Sequence, residues 1–335
     1  MNQATTTSKN RSWILQWLIG ILFTAGAIFL LSRVVSWEEI KTAFETIKPL
    51  TFVLIVVVYL LGMLARAVAW HTLLQRRVSL LWAFLGLNEG YLLNNILPFR
   101  LGELGRSFLI GRRTGMGTIN TLSTVVVERA YDLAIAAGLL LSVLPFVLKM
   151  EWARPIAYLV LAIIIAALFA LYLAARHRER LVGWIQKRFA HVGIIQRLVL
   201  PSLNSLLEGF SVLNRFELFA ISLGMMLVSW GFALLRDYLV INSIVSNAPF
   251  WWVMLAISAS NLGGAVPSMM ASLGTFEGAA TGAMVLAGAK PEVGLVYAIV
   301  IHAIHLVISS GIGAVGLMLE GQSLSKLVTD LRSMR

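Results

Sequence analysis

Between Tyr238 and Phe276 the chain runs 39 residues without one Asp, Glu, Lys or Arg. A water-soluble fold must clothe its outside in ionic and polar side chains, so no soluble domain surface can be made from such a stretch. A bilayer accepts it as helix. The rest of the chain agrees: 59% of its 335 residues are apolar and 13% are charged, against about 25% charged in an average globular chain. Lys and Arg nevertheless outnumber Asp and Glu by 27 to 16, a formal net charge of +11. A chain both apolar and basic fits an integral membrane protein with cationic loops and makes nucleic acid a poor guess as partner. It contains no cysteine, which excludes disulfides, zinc thiolates and a cysteine nucleophile.

A helix needs about 20 mostly apolar residues to cross the hydrocarbon core. Trp13–Ser32 supplies the first such run, after Lys9 and Arg11. It is longer than the usual apolar core of a signal peptide, so it reads as a retained span. Pro49–Trp70, Val125–Leu148, Ile156–Ala175, Leu218–Val240 and Val293–Leu319 follow. Cytoplasmic loops near span ends are enriched in cations. Arg176–Arg215 carries seven cations against Glu179 and Glu208, a net of +5, and the ends of the chain are basic, whereas Ser36–Lys48 and Asn242–Pro249 are acidic or neutral. Both termini are therefore expected in the cytoplasm and the protein in the cytoplasmic (inner) membrane. The expected organisation is a tail over 1–12, one transmembrane domain over 13–319 with a basic loop over 176–215, and a tail over 320–335. Within that loop Leu181, Trp184, Ile185 and Phe189 recur at helical spacing beside cations, as in a helix lying on an anionic membrane face. A solvated connector helix is the alternative.

Two segments depart from simple spans. Leu80–Arg113 starts apolar but contains Glu89, Asn94, Asn95 and Pro98, and Phe250–Ala289 is broken at Asn261–Pro267 and again near Gly274. Helix breaks at membrane depth are tolerated only where the freed backbone is buried in protein or lines a wet cavity. The first break reads Asn95, Pro98, Arg100, Gly102, Glu103; the second reads Gly264, Pro267, Gly274, Glu277. Each places a small or amide residue three before a proline, then a glycine, then a glutamate. By the cation count they enter from opposite sides, the pattern of an inverted repeat with discontinuous helices; chance likeness of two Gly/Pro breaks is the alternative. The expected fold is an all-α polytopic membrane protein with six to eight transmembrane helices, two of its segments broken or re-entrant.

An ionisable side chain kept in a span asks for a partner or a cavity. Arg100, Glu103 and Arg106 stand three apart, one stripe in which the carboxylate can pair with either guanidinium. Two arginines to one glutamate leave surplus positive charge, suited to the phosphate oxygens of a lipid head group. A salt-bridged stripe at the interface is the plainer reading. Glu128 and Asp132 share a face at i, i+4 and can answer Arg100 and Arg106, while Arg129 points about 100° away. Glu277 is expected in the first turn of a helix capped by Gly274 or Thr275, either structural or as a site for a proton or Na⁺. Arg66 lies near a span end and is expected to snorkel. Arg236 and Asp237 are adjacent and are expected to pair with other helices. His302 and His305, at i, i+3, favour interhelical hydrogen bonds over a metal site. Motifs of hydrolases, zinc proteases and nucleotide-binding enzymes are missing from the sequence, so neither catalytic residues nor a cofactor nor a metal is expected.

The ordered set Asn95-x-x-Pro98-x-Arg100-x-Gly102-Glu103-x-x-Arg106, Glu128-Arg129-x-x-Asp132 and Gly264-x-x-Pro267 with Gly274-x-x-Glu277 resembles the transmembrane region of lysylphosphatidylglycerol synthases, the flippase-like domain family. The resemblance covers roughly Trp13–Leu319. In bifunctional members this region precedes an aminoacyltransferase domain and is taken to move the modified lipid between leaflets. Here the resemblance implies the flippase-like part alone: a transporter of an anionic or polar lipid, phospholipid or isoprenoid-phosphate-linked, with no synthase chemistry. A membrane enzyme or an accessory subunit of a glycolipid pathway is the alternative. The expected partners are membrane lipids, with a lipid-synthesis enzyme or glycosyltransferase as a further candidate.

Overall fold

A computed structural model describes residues 45–97, 101–147, 176–188, 210–264 and 270–321 continuously, together with isolated positions in 38–42, 155–173 and 200–207. The expected first span Trp13–Ser32, the residues Pro98, Arg100 and Pro267, and most of Ile156–Ala175 lie outside the described residues. Among the described residues every regular element is helical. The helices are α1 (Pro49–Leu73), α2 (Leu80–Ile96), α3 (Gly102–Thr114), α4 (Thr118–Val147), α5 (Arg178–Arg188), α6 (Phe216–Ile244), α7 (Phe250–Gly264), α8 (Thr275–Leu286) and α9 (Pro291–Leu319). Short 3₁₀ turns stand at Phe210–Asn214 and Met270–Ser272.

Local chemistry explains the boundaries. α1 and α9 each start with proline at the first helical position after an extended lysine, Lys48 and Lys290, where the missing N–H costs nothing. Ser79 caps α2 by accepting the Trp82 N–H, and Gly115, at φ 69°, ends α3 in the left-handed conformation that glycine adopts without strain. α1, α6 and α9 are long and apolar enough to cross a membrane. α9 is the most enclosed, with 50% of its most apolar window buried against 28% for α6. On α1 the side chains of Leu54, Val57, Leu60, Leu61 and Leu64 are turned outward, while Ile55, Tyr59, Met63, Ala67 and Trp70 are buried. A helix apolar outside as well as inside is built for lipid.

The two expected breaks are present as separate helix pairs, α2 with α3 and α7 with α8. α2 packs on α3 and α3 on α4, as α7 packs on α8 and α8 on α9. Across the molecule α2 lies on α9 and α7 on α4, with α1 against α6. That neighbour pattern is the one that two copies of a four-helix unit make about a two-fold axis.

Glycine makes the first break possible. A Cβ on Gly102 would run into the Gly90 carbonyl oxygen and the Asn94 backbone nitrogen, so only glycine lets α3 start directly on α2. The Asn94 carboxamide oxygen then accepts the Gly102 N–H at 2.9 Å, and Asn95 donates to Ser310 of α9 at 2.9 Å. At the second break Ala271 and Ser272 both have positive φ, 58° and 56°, a left-handed geometry that costs roughly 1–2 kcal/mol per side-chain-bearing residue. Gly274, at φ 80°, starts α8, and the Glu277 carboxylate accepts its N–H at 2.7 Å. The first-turn position expected for Glu277 is the one observed.

Of the basic loop, α5 is described as a helix without buried residues. Leu181 and Val182 rest partly on the core and Trp184 is exposed. Phe189 lies outside the described residues.

Candidate functional site

The charges that the spans retain come together where α1, α3, α4 and α6 meet. Glu128 receives Arg66 at 2.8 Å and Arg106 at 2.9 Å. Asp132, one turn on, holds Arg66 at 2.6 Å, Arg129 at 3.1 Å and the Trp230 indole N–H at 3.0 Å. Arg129 also reaches Glu103 of α3 at 3.0 Å. Arg106 and Glu128 are completely enclosed, and the Trp70 ring covers the Arg106 guanidinium, with 4.6 Å from its carbon to the ring centroid. Trp70 is itself held by Thr124 at 3.0 Å.

This arrangement corrects three expectations. Glu103 does not pair along its own stripe with Arg106: α3 lies against α4, so Arg129 takes Glu103 and Glu128 takes Arg106. Arg129 does not stand apart from the carboxylate face, because an i, i+3 reach along α4 brings its long side chain to Asp132. Arg66 does not snorkel: α1 presses it inward, its side chain 13% exposed, onto two carboxylates. Among the described residues Arg66, Arg106 and Arg129 meet Glu103, Glu128 and Asp132, three cations against three anions; Arg100, on which the expected positive surplus rests, lies outside them.

The second half holds a cluster of different chemistry. Arg236 grips its own neighbour Asp237 at 2.6 Å, contrary to the expectation that adjacent residues on a helix pair elsewhere. Asp237 also accepts the Tyr297 hydroxyl of α9 at 2.8 Å, so the pair is tied to another helix as well. His302 and Glu277 are 2.5 Å apart, and Nδ1 of His305 is 3.0 Å from the Tyr59 hydroxyl on α1. Both histidines bond across helices, as their spacing predicts. Where the first half joins its third and fourth helices by the ion pair Glu103–Arg129, the second joins α8 to α9 by Glu277–His302.

Between the clusters lies a cavity of about 240 Å³. From the first half it is lined by Arg66, Glu103, Arg129 and Asp132, from the second by Arg236, Asp237, His302 and His305. Both breaks open onto it, through Asn94 and Asn95 on one side and Ala271, Ser272 and Phe276 on the other. Tyr59, Tyr91 and Trp230 add aromatic faces. Of the residues assigned from the sequence to the lipid site or the breaks, Glu103, Arg129, Asp132 and Asn95 thus reach the cavity, and so do Asp237, His302 and His305, which the sequence placed in interhelical contacts. Arg106 and Glu128 stand behind the cavity, Glu277 touches it through His302, Gly102 and Gly274 shape backbone, and Gly264 is the last described residue of α7. Arg66, Arg236, Tyr59, Tyr91 and Trp230 were not assigned to a site by sequence; for the two arginines a charge inside an apolar span was the available signal. Among the described residues no group of three His, Asp or Glu side chains is placed to hold a metal ion.

Comparison with known proteins agrees with this architecture. Residues 17–313 match the family described as the lysylphosphatidylglycerol synthase TM region. A protein of Methanothermobacter thermautotrophicus described as a UPF0104 membrane protein is 22% identical over 332 residues, covering 93% of this chain and 97% of its own length. No solved structure matches the chain.

Proposed function

The chain belongs to the lysylphosphatidylglycerol synthase transmembrane-region family, and on that premise we propose that it carries a lipid between the leaflets of the cytoplasmic membrane, with both termini in the cytoplasm. The observation that carries this reading is the cavity itself. It is polar, it lies inside a bundle whose outside is apolar, and both helix breaks converge on it. A head group must shed water to cross a bilayer, and such a cavity offers guanidinium, carboxylate, amide and aromatic partners in exchange. Acyl chains remain outside, where the α1–α2 face presents an apolar groove lined by Leu60, Leu64, Leu81 and Phe84.

The ion pairing bears on the cargo. Arg66, Arg129 and Arg236 line the cavity but each holds a carboxylate, so the site is not a bare anion trap. A phosphate of the head group binds by taking over part of an arginine's existing bonds, while carboxylates and ring faces receive its hydroxyl or amine substituents. This suits a polar or anionic phospholipid or an isoprenoid-phosphate-linked lipid. The carrier works by facilitated movement or ion coupling and leaves head-group chemistry unchanged. Its partners are lipids, with a lipid-synthesis enzyme or glycosyltransferase supplying or consuming them.

The test is a leaflet-resolved assay in proteoliposomes containing labelled phospholipids or a polyprenyl phosphate. Faster equilibration with chemically intact lipid is the expected result. Equilibration no faster than in protein-free vesicles, or appearance of a new lipid product, refutes the proposal.

A further inference from the structure

Glu89 takes no part in either cluster. It sits on α2, its side chain is completely buried, and neither carboxyl oxygen has a hydrogen-bond partner among the described residues. α9 is shaped to receive it: a Cβ on Gly316 would run into Glu89 Oε1, and a Cβ on Gly313 would run into the Asn88 carbonyl oxygen. Two glycines at i, i+3 therefore let α2 lie on bare α9 backbone, with the Glu89 carboxyl pressed against Gly316 and the Asn88 carbonyl against Gly313.

Among the described residues few charged groups face this position. Past the end of α9 stands Glu320. From α3 come Arg113, which is 3.9 Å from Glu320 and lies 3.3 Å over the Trp82 ring, Arg112, and Arg106, whose alkyl chain packs on Gly90 while its guanidinium goes to Glu128. On α1, Arg66 is held by Glu128 and Asp132 and Tyr59 by His305, and His71 is in the last turn. The turn Met270–Ser272 brings no ionisable side chain. Glu320 is half-buried, and that burial raises its carboxyl against the pull of Arg113 and Arg112. A carboxylate at Glu89 would thus have given up water without gaining a donor, beside another acid, and only the neutral acid avoids that cost.

We propose that Glu89 is a proton-binding site whose occupancy sets the contact between α2 and α9. With the proton bound, α2 is closed on α9. When the O–H bond breaks and the proton passes to water, the carboxylate must reach water or Arg113, and α2 moves off the Gly313–Gly316 face. α2 also carries Tyr91, Asn94 and Asn95 in the cavity wall, and Asn95 is bonded to Ser310 of α9, so the movement opens that wall. The consequence for lipid passage rests on the carrier reading; the proton site and the helix movement do not.

The chain lacks cysteine, so spin labels can be placed at Leu81→Cys on α2 and Met318→Cys on α9, both exposed positions. The full chain is reconstituted in phospholipid vesicles and carried from mildly acidic to mildly alkaline buffer. Two results are expected. The infrared stretch of a protonated carboxyl is present at neutral pH, fades as pH rises and is missing from Glu89→Gln. The label distance lengthens in step with that loss, and in Glu89→Gln it stays short at every pH. The same band in Glu89→Gln, or a label distance in the unsubstituted protein that ignores pH, overturns the proposal. Should Glu89→Gln not fold, the joint change of band and distance in the unsubstituted protein still decides. Unlabelled protein in which the carboxyl band fades with pH but which moves no lipid would sink the carrier reading and leave the proton site standing.

Discussion

Glu128 is where the charges of the first half converge, and it is wholly enclosed. Breaking a buried pair by removing one partner leaves a stranded charge and costs about 3–5 kcal/mol. Glu128→Ala is therefore expected to destabilise the detergent-solubilised protein by that order, read by thermal unfolding, and adding Arg106→Met should recover part of the loss. A full-sized loss in the double variant would show that Arg106 was not the stranded charge. Arg129 differs, because its side chain is 28% exposed and lines the cavity. Arg129→Ala is predicted to slow lipid equilibration at least tenfold while lowering thermal stability less than Glu128→Ala does. Equal transport at matched expression would remove Arg129 from the site. At this scale the sequence showed which residues matter better than which residues meet. Glu103, Arg106, Glu128, Arg129 and Asp132 were legible as ionic groups in an apolar setting, but their pairing followed from α3 lying on α4, and helical spacing along one stripe does not contain that information.

The informative elements are the two breaks. Both were legible from Gly, Pro and amide residues interrupting apolar runs. The close fit at Gly102 was not, since it depends on the Gly90 carbonyl of another helix. Gly102→Ala is expected to cost at least about 1–3 kcal/mol, the usual range for overpacking, and to shift α3 away from α2. Unfolding at the same temperature as the unsubstituted protein would show that the Gly90 carbonyl can yield. At the second break the left-handed Ala271 offers the opposite experiment. Ala271→Gly relieves a strain of roughly 1–2 kcal/mol but adds freedom to the unfolded chain worth about 0.4–1. A net gain between nothing and about 1.6 kcal/mol should appear as a higher unfolding temperature. A fall would mean that the methyl group contributes more by packing than its backbone geometry costs. The strained pair Ala271–Ser272 lies on the cavity wall, where backbone strain is commonly concentrated.

In the whole molecule α1 and α6 form part of the seam between the two halves, and they approach closely at Gly62. A Cβ built on Gly62 would stand 3.2 Å from the Phe232 Cβ, close to the 3.5–4.5 Å span of a disulfide. In this cysteine-free chain the pair Gly62→Cys and Phe232→Cys should cross-link under mild oxidation. If carrying a lipid requires the halves to shift against each other, the cross-linked protein equilibrates lipid more slowly and recovers on reduction. Unchanged rates in the cross-linked form would confine the working motion to the broken helices.

The sequence by itself determined that this is a helical membrane protein, that two of its segments break, and that a small set of arginines and acids is kept among apolar spans. Those conclusions follow from hydrocarbon thickness, backbone hydrogen bonding and the cost of burying charge, which act along the chain and need no knowledge of neighbours. Only the tertiary structure decided that Arg66 belongs to the ionic network, that Glu128 rather than Glu103 answers Arg106, and that both breaks face one cavity. It also isolated Glu89, whose lack of a donor among the described residues is a property of what α9 places beside it. Charge balance and solvation at a buried site are sums over groups distant in sequence, and they are fixed when the helices pack.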